Sequence, residues 1–197
     1  MKIIKNMDYT SGDFRYRNFT TLSVDELLMI LRERNHPDVK KWMYTDEDIE
    51  ESSHLAFVEN LKTRDDAFYW LMLYREEPIG VLSLVHCDYD KNEADPGYYL
   101  FANYQNAGIG LEMHVGYKNF MFHQLGVDTL ASNILYGNSS AMQLTLFFGG
   151  QIGKEKIIDG KRFVSVRTTK EDYDAVDKNR LTLNFVKYIK KNPIKWE

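Results

Sequence analysis

Residues Gln105 to Gly110 read Gln-Asn-Ala-Gly-Ile-Gly, between a run with strand character and a run with helical spacing. A strand that ends in such a turn and feeds a helix leaves several backbone N–H groups without intrahelical partners. The helix dipole adds partial positive charge at the same point. That combination suits a pyrophosphate. Glycines at 108 and 110 remove Cβ atoms that would obstruct a phosphate, and they permit unusual backbone angles. The motif alone is equally compatible with a structural use, in which Gly108 lets the helix pack closely. A dinucleotide-binding Rossmann unit fits poorly, since it needs three glycines in a first βαβ unit and an acidic residue about twenty positions on. Here the turn follows several strand-like segments.

Five other positions carry side chains to be weighed for chemistry or packing. Cys87 is the single cysteine, so it forms no internal disulfide, and its place in a strand-like run reads as a small buried hydrophobe. Arg34 follows an apolar helix stripe and precedes a proline, where a guanidinium either caps the helix end or reaches a ligand. His54 shares a helix face with Phe57, Val58 and Leu61, the usual setting of a satisfied core histidine. Trp42 and Met43 are expected to pack under the second helix. No metal site is expected.

These positions need a scaffold, and the pattern supplies one. Tyr16 to Thr21 reads as a short strand. Ser23 and Glu26 form a capping box opening a helix whose apolar positions are Val24, Leu27, Leu28 and Leu31, stopped by Pro37. A second helix is expected from Thr45, with Asp46, Glu47 and Asp48 near its dipole, to about Lys62. Ala67 to Arg75 and Ile79 to Cys87 form a hairpin broken at Glu76-Glu77-Pro78. A polar loop from Asp88 to Pro96 leads to a strand at Gly97 to Phe101, then the glycine turn. Ile109, Met113, Tyr117, Phe120 and Met121 give the next helix an apolar face. Thr129 to Leu135 reads as a strand and Ser139 to Phe148 as a short helix. A second hairpin turns at Asp159-Gly160 between Ile152 to Ile158 and Arg162 to Thr168. Glu171 to Lys191 reads as an amphipathic tail with nothing that suggests chemistry. The sum is an α/β domain with a mixed sheet.

Composition bounds the partners. With 197 residues, 44% hydrophobic and 14% aromatic, the chain can bury one full core. A net charge of −4 leaves no basic field for nucleic acid or anionic lipid. No signal peptide or membrane span is visible, so a cytoplasmic location is expected. Neither repeats nor linkers interrupt the chain.

The turn resembles the Gln/Arg-x-x-Gly-x-Gly/Ala signature of the GNAT N-acetyltransferases, and the order of elements is similar over residues 14–169. The resemblance implies a GNAT fold, with a mixed central β-sheet flanked by helices. It further implies a single N-acetyltransferase domain over 1–197, with a core at 14–169 and a helical tail at 170–197. Acetyl-CoA is the implied cofactor: Gln105, Asn106, Ala107, Gly108, Ile109 and Gly110 would bind its pyrophosphate. Leu100 and Phe101, at the strand end, would receive the pantetheine arm and thioester, and Asn138 would contact the cofactor. Arg34-Asn35-His36-Pro37, Trp42-Met43-Tyr44, and His54-Leu55 with Phe57 and Leu61-Lys62 resemble the nucleotide-sugar N-acetyltransferases of pseudaminic acid biosynthesis. That resemblance implies a UDP-linked 4-amino-4,6-dideoxy sugar as the small-molecule amine acceptor. Arg34 and His54 would then contact the nucleotide sugar, and Ser83, His86 and Tyr98 would face the acceptor. His86 stands where the resemblance expects lysine. A homodimer is left open.

Acetyl transfer needs a neutral amine, donors for the developing oxyanion and a proton for the departing thiolate. Backbone amides near residues 99–101 could supply the oxyanion donor, and a sugar amine is acidic enough for water to serve as base. The family usually carries a tyrosine acid in an Asn-x-x-Ala-x-x-x-Tyr pattern. This chain reads Asn138-Ser-Ser-Ala141-Met-Gln-Leu-Thr145, and threonine is a poor acid. Three readings follow: a shifted tyrosine, Tyr98 or Tyr136, serves; water protonates the thiolate; or activity is lost. The alternatives to a sugar acceptor are a protein N-terminus, a small amine, or a non-catalytic CoA-binding module.

Overall fold

The computed structural model describes residues 1–105 and 107–196, so Asn106 of the glycine turn, an expected cofactor contact, lies outside the described residues. Its centre is an eight-stranded sheet in the order β1-β2-β3-β4-β5-β6-β8-β7. Strands β1 (Tyr9–Ser11) and β2 (Phe14–Asn18) form the edge. The expected strand over 16–21 stops at Asn18, whose side chain accepts from Thr20 N–H at 3.0 Å and turns Phe19–Thr21 into a 3-10 turn. Helix α1 (Val24–Asn35) starts at the capping box, with both reciprocal bonds between Ser23 and Glu26 present. Pro37 opens the single turn α2 (Pro37–Lys40).

Helix α3 (Glu51–Leu61) begins six residues later than Thr45. The acidic run that reads as a helix start is instead held by other elements. The Asn35 side chain exchanges two bonds with the Ile49 backbone, both 2.9 Å, and Lys40 pairs with Asp48 at 2.6 Å. Those side chains satisfy backbone and charge that a first helical turn would otherwise have claimed.

β3 (Phe68–Tyr74) and β4 (Glu77–Asp88) form the expected hairpin, turning on Arg75 and Glu76 with φ of 49° and 67°. The turn thus lies one residue before the expected break. β5 (Glu93–Leu100) starts four residues before Gly97, because Asp88 Oδ1 accepts from the N–H groups of Asp90 and Lys91 and tightens the polar loop into a turn. Helix α4 (Gly110–Asn119) packs close to the sheet, since a Cβ on Gly116 would sit 2.7 Å from Phe14 Cδ2. It runs on into a π turn at Phe120–Gln124. β6 (Thr129–Leu135), α5 (Ser139–Phe147), β7 (Gln151–Ile158) and β8 (Lys161–Thr169) follow as the periodicity predicts. The tail is two helices, α6 (Lys170–Asp174) and α7 (Leu181–Lys191).

Two apolar layers sandwich the sheet. Leu27, Ile30, Val58 and Leu61 of α1 and α3 cover Leu71, Leu73 and Val81 on one face. Met113, Tyr117, Phe120 and Met121 cover Tyr16, Trp70, Met72 and Leu82 on the other. Every neighbouring pair of strands is antiparallel except β5 and β6, which pair in parallel at Glu93↔Thr129 and Ala94↔Leu130 alone. Beyond Ala94 the two strands diverge, and that divergence makes the site. Among the described residues no helix is long and apolar enough to cross a membrane.

Candidate active site

The gap between β5 and β6 opens into a cleft of about 1120 Å³. One end is walled by Gln105, Ala107, Gly108, Ile109 and Gly110, the middle by Leu100, Asn138, Leu144 and Thr145, and the other end by Ser83, His86 and Asp95. Gly108 has φ of 78°, and a Cβ built on it would meet nothing within 4 Å, so the turn faces open space. Phosphate-sized room in front of a left-handed glycine and a helix start is the arrangement an anion needs. Gln105 donates to Leu100 O at 3.3 Å and to Asp38 O at 3.2 Å, tying the turn to α2. Asn138 is the cap of α5, its side chain accepting from Ala141 N–H at 3.1 Å.

Strand alternation decides which amides are available. Phe101 N–H donates to Ile79 O at 2.9 Å, and Phe101 is buried away from the cleft. That alternation points the N–H groups of Tyr98 and Leu100 toward the gap, while Pro96 has none to offer. Of the expected oxyanion donors at 99–101, Leu100 is therefore the one left free by β4. The geometry suits a thioester arm lying along β5, with its phosphates at Gly108.

The period of two also separates side chains by face. Ser83, Val85, Asp95, Gly97 and Tyr99 lie toward α1 and α3, whereas Ala94, Tyr98 and Leu100 lie toward α4. Ser83 Oγ donates to Gly97 O at 3.2 Å. His86 sits on a β-bulge with φ of 51°, exposed, with Nδ1 3.6 Å from Asp95 Oδ2. Asp95 is the residue the sequence reading missed, because it fell in what looked like a polar loop. Burial pushes its carboxyl up to about 6, with His86 and Lys156 opposing. Tyr44 and Asn133 line the same end of the cleft.

Arg34 and His54 lie outside the cleft wall. Arg34 is buried, and its Nη2 donates to Thr45 O at 2.9 Å, so it braces the loop that carries Trp42, Met43 and Tyr44 into the cleft. His54 is a core histidine set edge-on to Phe19 at 6.4 Å, and burial holds its imidazole below the usual range. Trp42 and Met43 do not pack under the second helix as expected. They line the cleft, and Trp42 stays 43% exposed because α2 ends at Lys40 and carries the chain past α3.

Of the three candidate acids, Tyr98 and Thr145 line the cleft and Tyr136 does not. Tyr136 packs tilted against Trp196, ring centroids 4.7 Å apart, with the Arg162 guanidinium 3.9 Å from its ring. Tyr98 OH lies 2.8 Å from His114 Nε2, and His114 Nδ1 lies 3.3 Å from Tyr117 OH. Burial keeps His114 neutral, so the imidazole offers one donor and one acceptor to the two phenols. Next to them Lys118 is 2% exposed and lines the cleft, with Nζ 5.2 Å from the Tyr117 ring and no ion pair among the described residues. Burial lowers it to about 7. Cys87 is half-buried and its thiol is pushed up to about 12, which suits the inert role expected of it.

Residues 14–150 match the family described as the acetyltransferase (GNAT) domain. Over 130 residues the chain is 31% identical to "Acetyltransferase PseH" of Campylobacter jejuni, covering 66% of this chain and 80% of that protein. The solved structure of the Campylobacter jejuni N-acetyltransferase PseH in complex with acetyl coenzyme A superposes with a TM-score of 0.63 at 22% identity, covering 80% of this chain and 99% of that one. Spermidine N-acetyltransferase from Vibrio cholerae, in complex with CoA and spermine, reaches a TM-score of 0.72 at 12% identity, covering 82% and 98%. At those identities the two structures speak to the fold.

Proposed function

This chain belongs to the GNAT acetyltransferase family, and we propose that its acceptor is the 4-amino group of a UDP-linked 4-amino-4,6-dideoxy sugar. It is an acetyl-CoA-dependent N-acetyltransferase, and acetyl-CoA supplies an acetyl group already activated as a thioester. The reading of the acceptor is carried by the far end of the cleft. There Trp42 and Tyr44 stand 43% and 45% exposed beside Lys41, whose ammonium pairs with Asp38 at 2.7 Å; the large rings suit stacking on a base, and the lysine could turn from Asp38 to a diphosphate. Arg34 acts on this mouth indirectly, through Thr45, and His54 fills the core behind it.

At the reacting end the residues divide the proton work. Asp95 accepts the proton of the acceptor ammonium at Oδ2, and His86 beside it steadies the carboxylate. Ser83 and Asn133 orient the sugar from the strands on either side. Leu100 N–H receives the developing negative charge. Tyr98, on the opposite face of β5, gives its phenolic proton to the departing sulfur; the Nε2–H of neutral His114 holds the phenolate left behind, and the second proton of the acceptor nitrogen, lost as the amide forms, restores the phenol through solvent. Thr145 contributes no acid; it lines the wall and packs against Gly150.

The test is thiol release from acetyl-CoA with a UDP-4-amino sugar, a polyamine and N-terminal peptides offered in turn. Release with the sugar nucleotide alone is expected. Release only with peptides or only with the polyamine overturns the acceptor, and tight cofactor binding with no release from any of them leaves a non-catalytic module.

A further inference from the structure

The tail beyond residue 176 lies outside the family match, yet it reaches both ends of the cofactor side of the cleft. Leu181, Phe185 and Tyr188 of α7 pack against the main core, with Phe147 of α5 edge-on to Phe185 at 5.2 Å and to Tyr188 at 5.5 Å. Thr182 and Phe185 form part of the cleft wall itself. At the near end, Arg180, Leu181, Thr182 and Leu183 enclose a second hollow together with Gly108, Leu111 and Glu112. At the far end, Trp196 Nε1 donates to Ser139 Oγ at 2.7 Å, one residue from Asn138. The tail thus runs from the phosphate turn to the cap of α5.

Charge follows the same line. Between 178 and 196 the chain carries Lys178, Arg180, Lys187, Lys190, Lys191 and Lys195 and no acid, in a protein whose net charge is −4. Arg180 occupies a left-handed corner, φ 50°, immediately before α7, and makes no ion pair among the described residues. A non-glycine residue in that conformation is strained, and the left-handed backbone sets the direction in which its side chain leaves the chain. The acid that shares its hollow, Glu112, accepts from Tyr74 OH at 2.9 Å.

We propose that the C-terminal segment is a second wall of the acetyl-CoA site, in which Arg180 pairs with the cofactor phosphates opposite the Gly108 turn while Thr182 and Phe185 close over the pantetheine arm. The assignment rests on acetyl-CoA occupying the cleft. It adds a cationic side chain to the backbone N–H groups of the turn, and guanidinium pairing with phosphate is bidentate and strong.

Calorimetry with CoA and with phosphate-free pantetheine tests it on the full chain. Arg180→Ala is expected to weaken CoA by roughly tenfold and to leave pantetheine unchanged, with Arg180→Lys between the two. Phe185→Ala should weaken both ligands, and hydrogen exchange over 181–189 should slow when CoA is added. If Arg180→Ala binds CoA as tightly as the parent, whether or not its melting temperature falls, Arg180 is a structural partner of Glu112 and the proposal fails. A parent that binds no CoA overturns the cofactor site as well as its second wall.

Discussion

Asp95 shows how much a single side chain's setting matters. A carboxylate in a polar loop would titrate near the ordinary value and do nothing, whereas on β5, largely enclosed by the cleft, it is pushed up to about 6 and remains an acceptor at neutral pH. A general base works in its deprotonated form, so kcat/KM should rise as pH passes upward through about 6 and then level. Asp95→Asn should lower kcat/KM by about 100-fold and abolish that rise, measured as a pH–rate profile with the sugar nucleotide. A profile unchanged by the substitution would leave water as the base. Arg34 and His54 make the opposite point: the resemblance implied nucleotide-sugar contact for both, whereas the structure sets them outside the cleft wall, the guanidinium donating to Thr45 O and the imidazole edge-on to Phe19.

At the level of elements, local chemistry was legible wherever it needed no distant partner. The Ser23–Glu26 box, the hairpin turn at Asp159 and Gly160, and the strand at 129–135 are all where the residues place them. The start of α3 is set by another element, since Asn35 and Lys40 hold the loop before it, while the start of β5 is set by a local side-chain turn at Asp88 that strand periodicity does not register. The glycine turn between β5 and α4 also lies where the sequence places it, and its proposed phosphate role carries a prediction of its own. Valine at 108 would have to adopt φ near 78°, strained for a β-branched residue, and would fill the space in front of the turn. Gly108→Val is therefore expected to weaken CoA by more than about tenfold in calorimetry. Parent-like binding would mean the phosphates lie elsewhere.

For the whole molecule, a sheet joined across β5 and β6 by only two residue pairs divides naturally into halves, and the cleft occupies the divide. Lys118, buried at the back of it, carries a folding cost that pH can reveal. Its amine falls from 10.5 in the open chain to about 7 in the fold. Below pH 7 it is charged in both states and the burial penalty is complete; between 7 and 10.5 the penalty fades, and above 10.5 it is gone. Lys118→Met should therefore raise the melting temperature by several degrees at pH 7, and the gain should shrink as the pH approaches 10. An equal gain at both pH values would mean that packing, rather than charge, separates the two side chains.

By itself the sequence determined the pattern of strands and helices, the glycine turn and with it the family's cofactor, because each depends on neighbours within a few residues. Only the tertiary structure decided the rest. It moved Asp95 from a loop to the cleft and turned Tyr98 to the face opposite it. It also left Phe101 with its N–H committed to β4 and brought a basic tail to the phosphate turn. The face a strand residue presents and the partner its amide finds are set by register with other strands, and no local spacing records that.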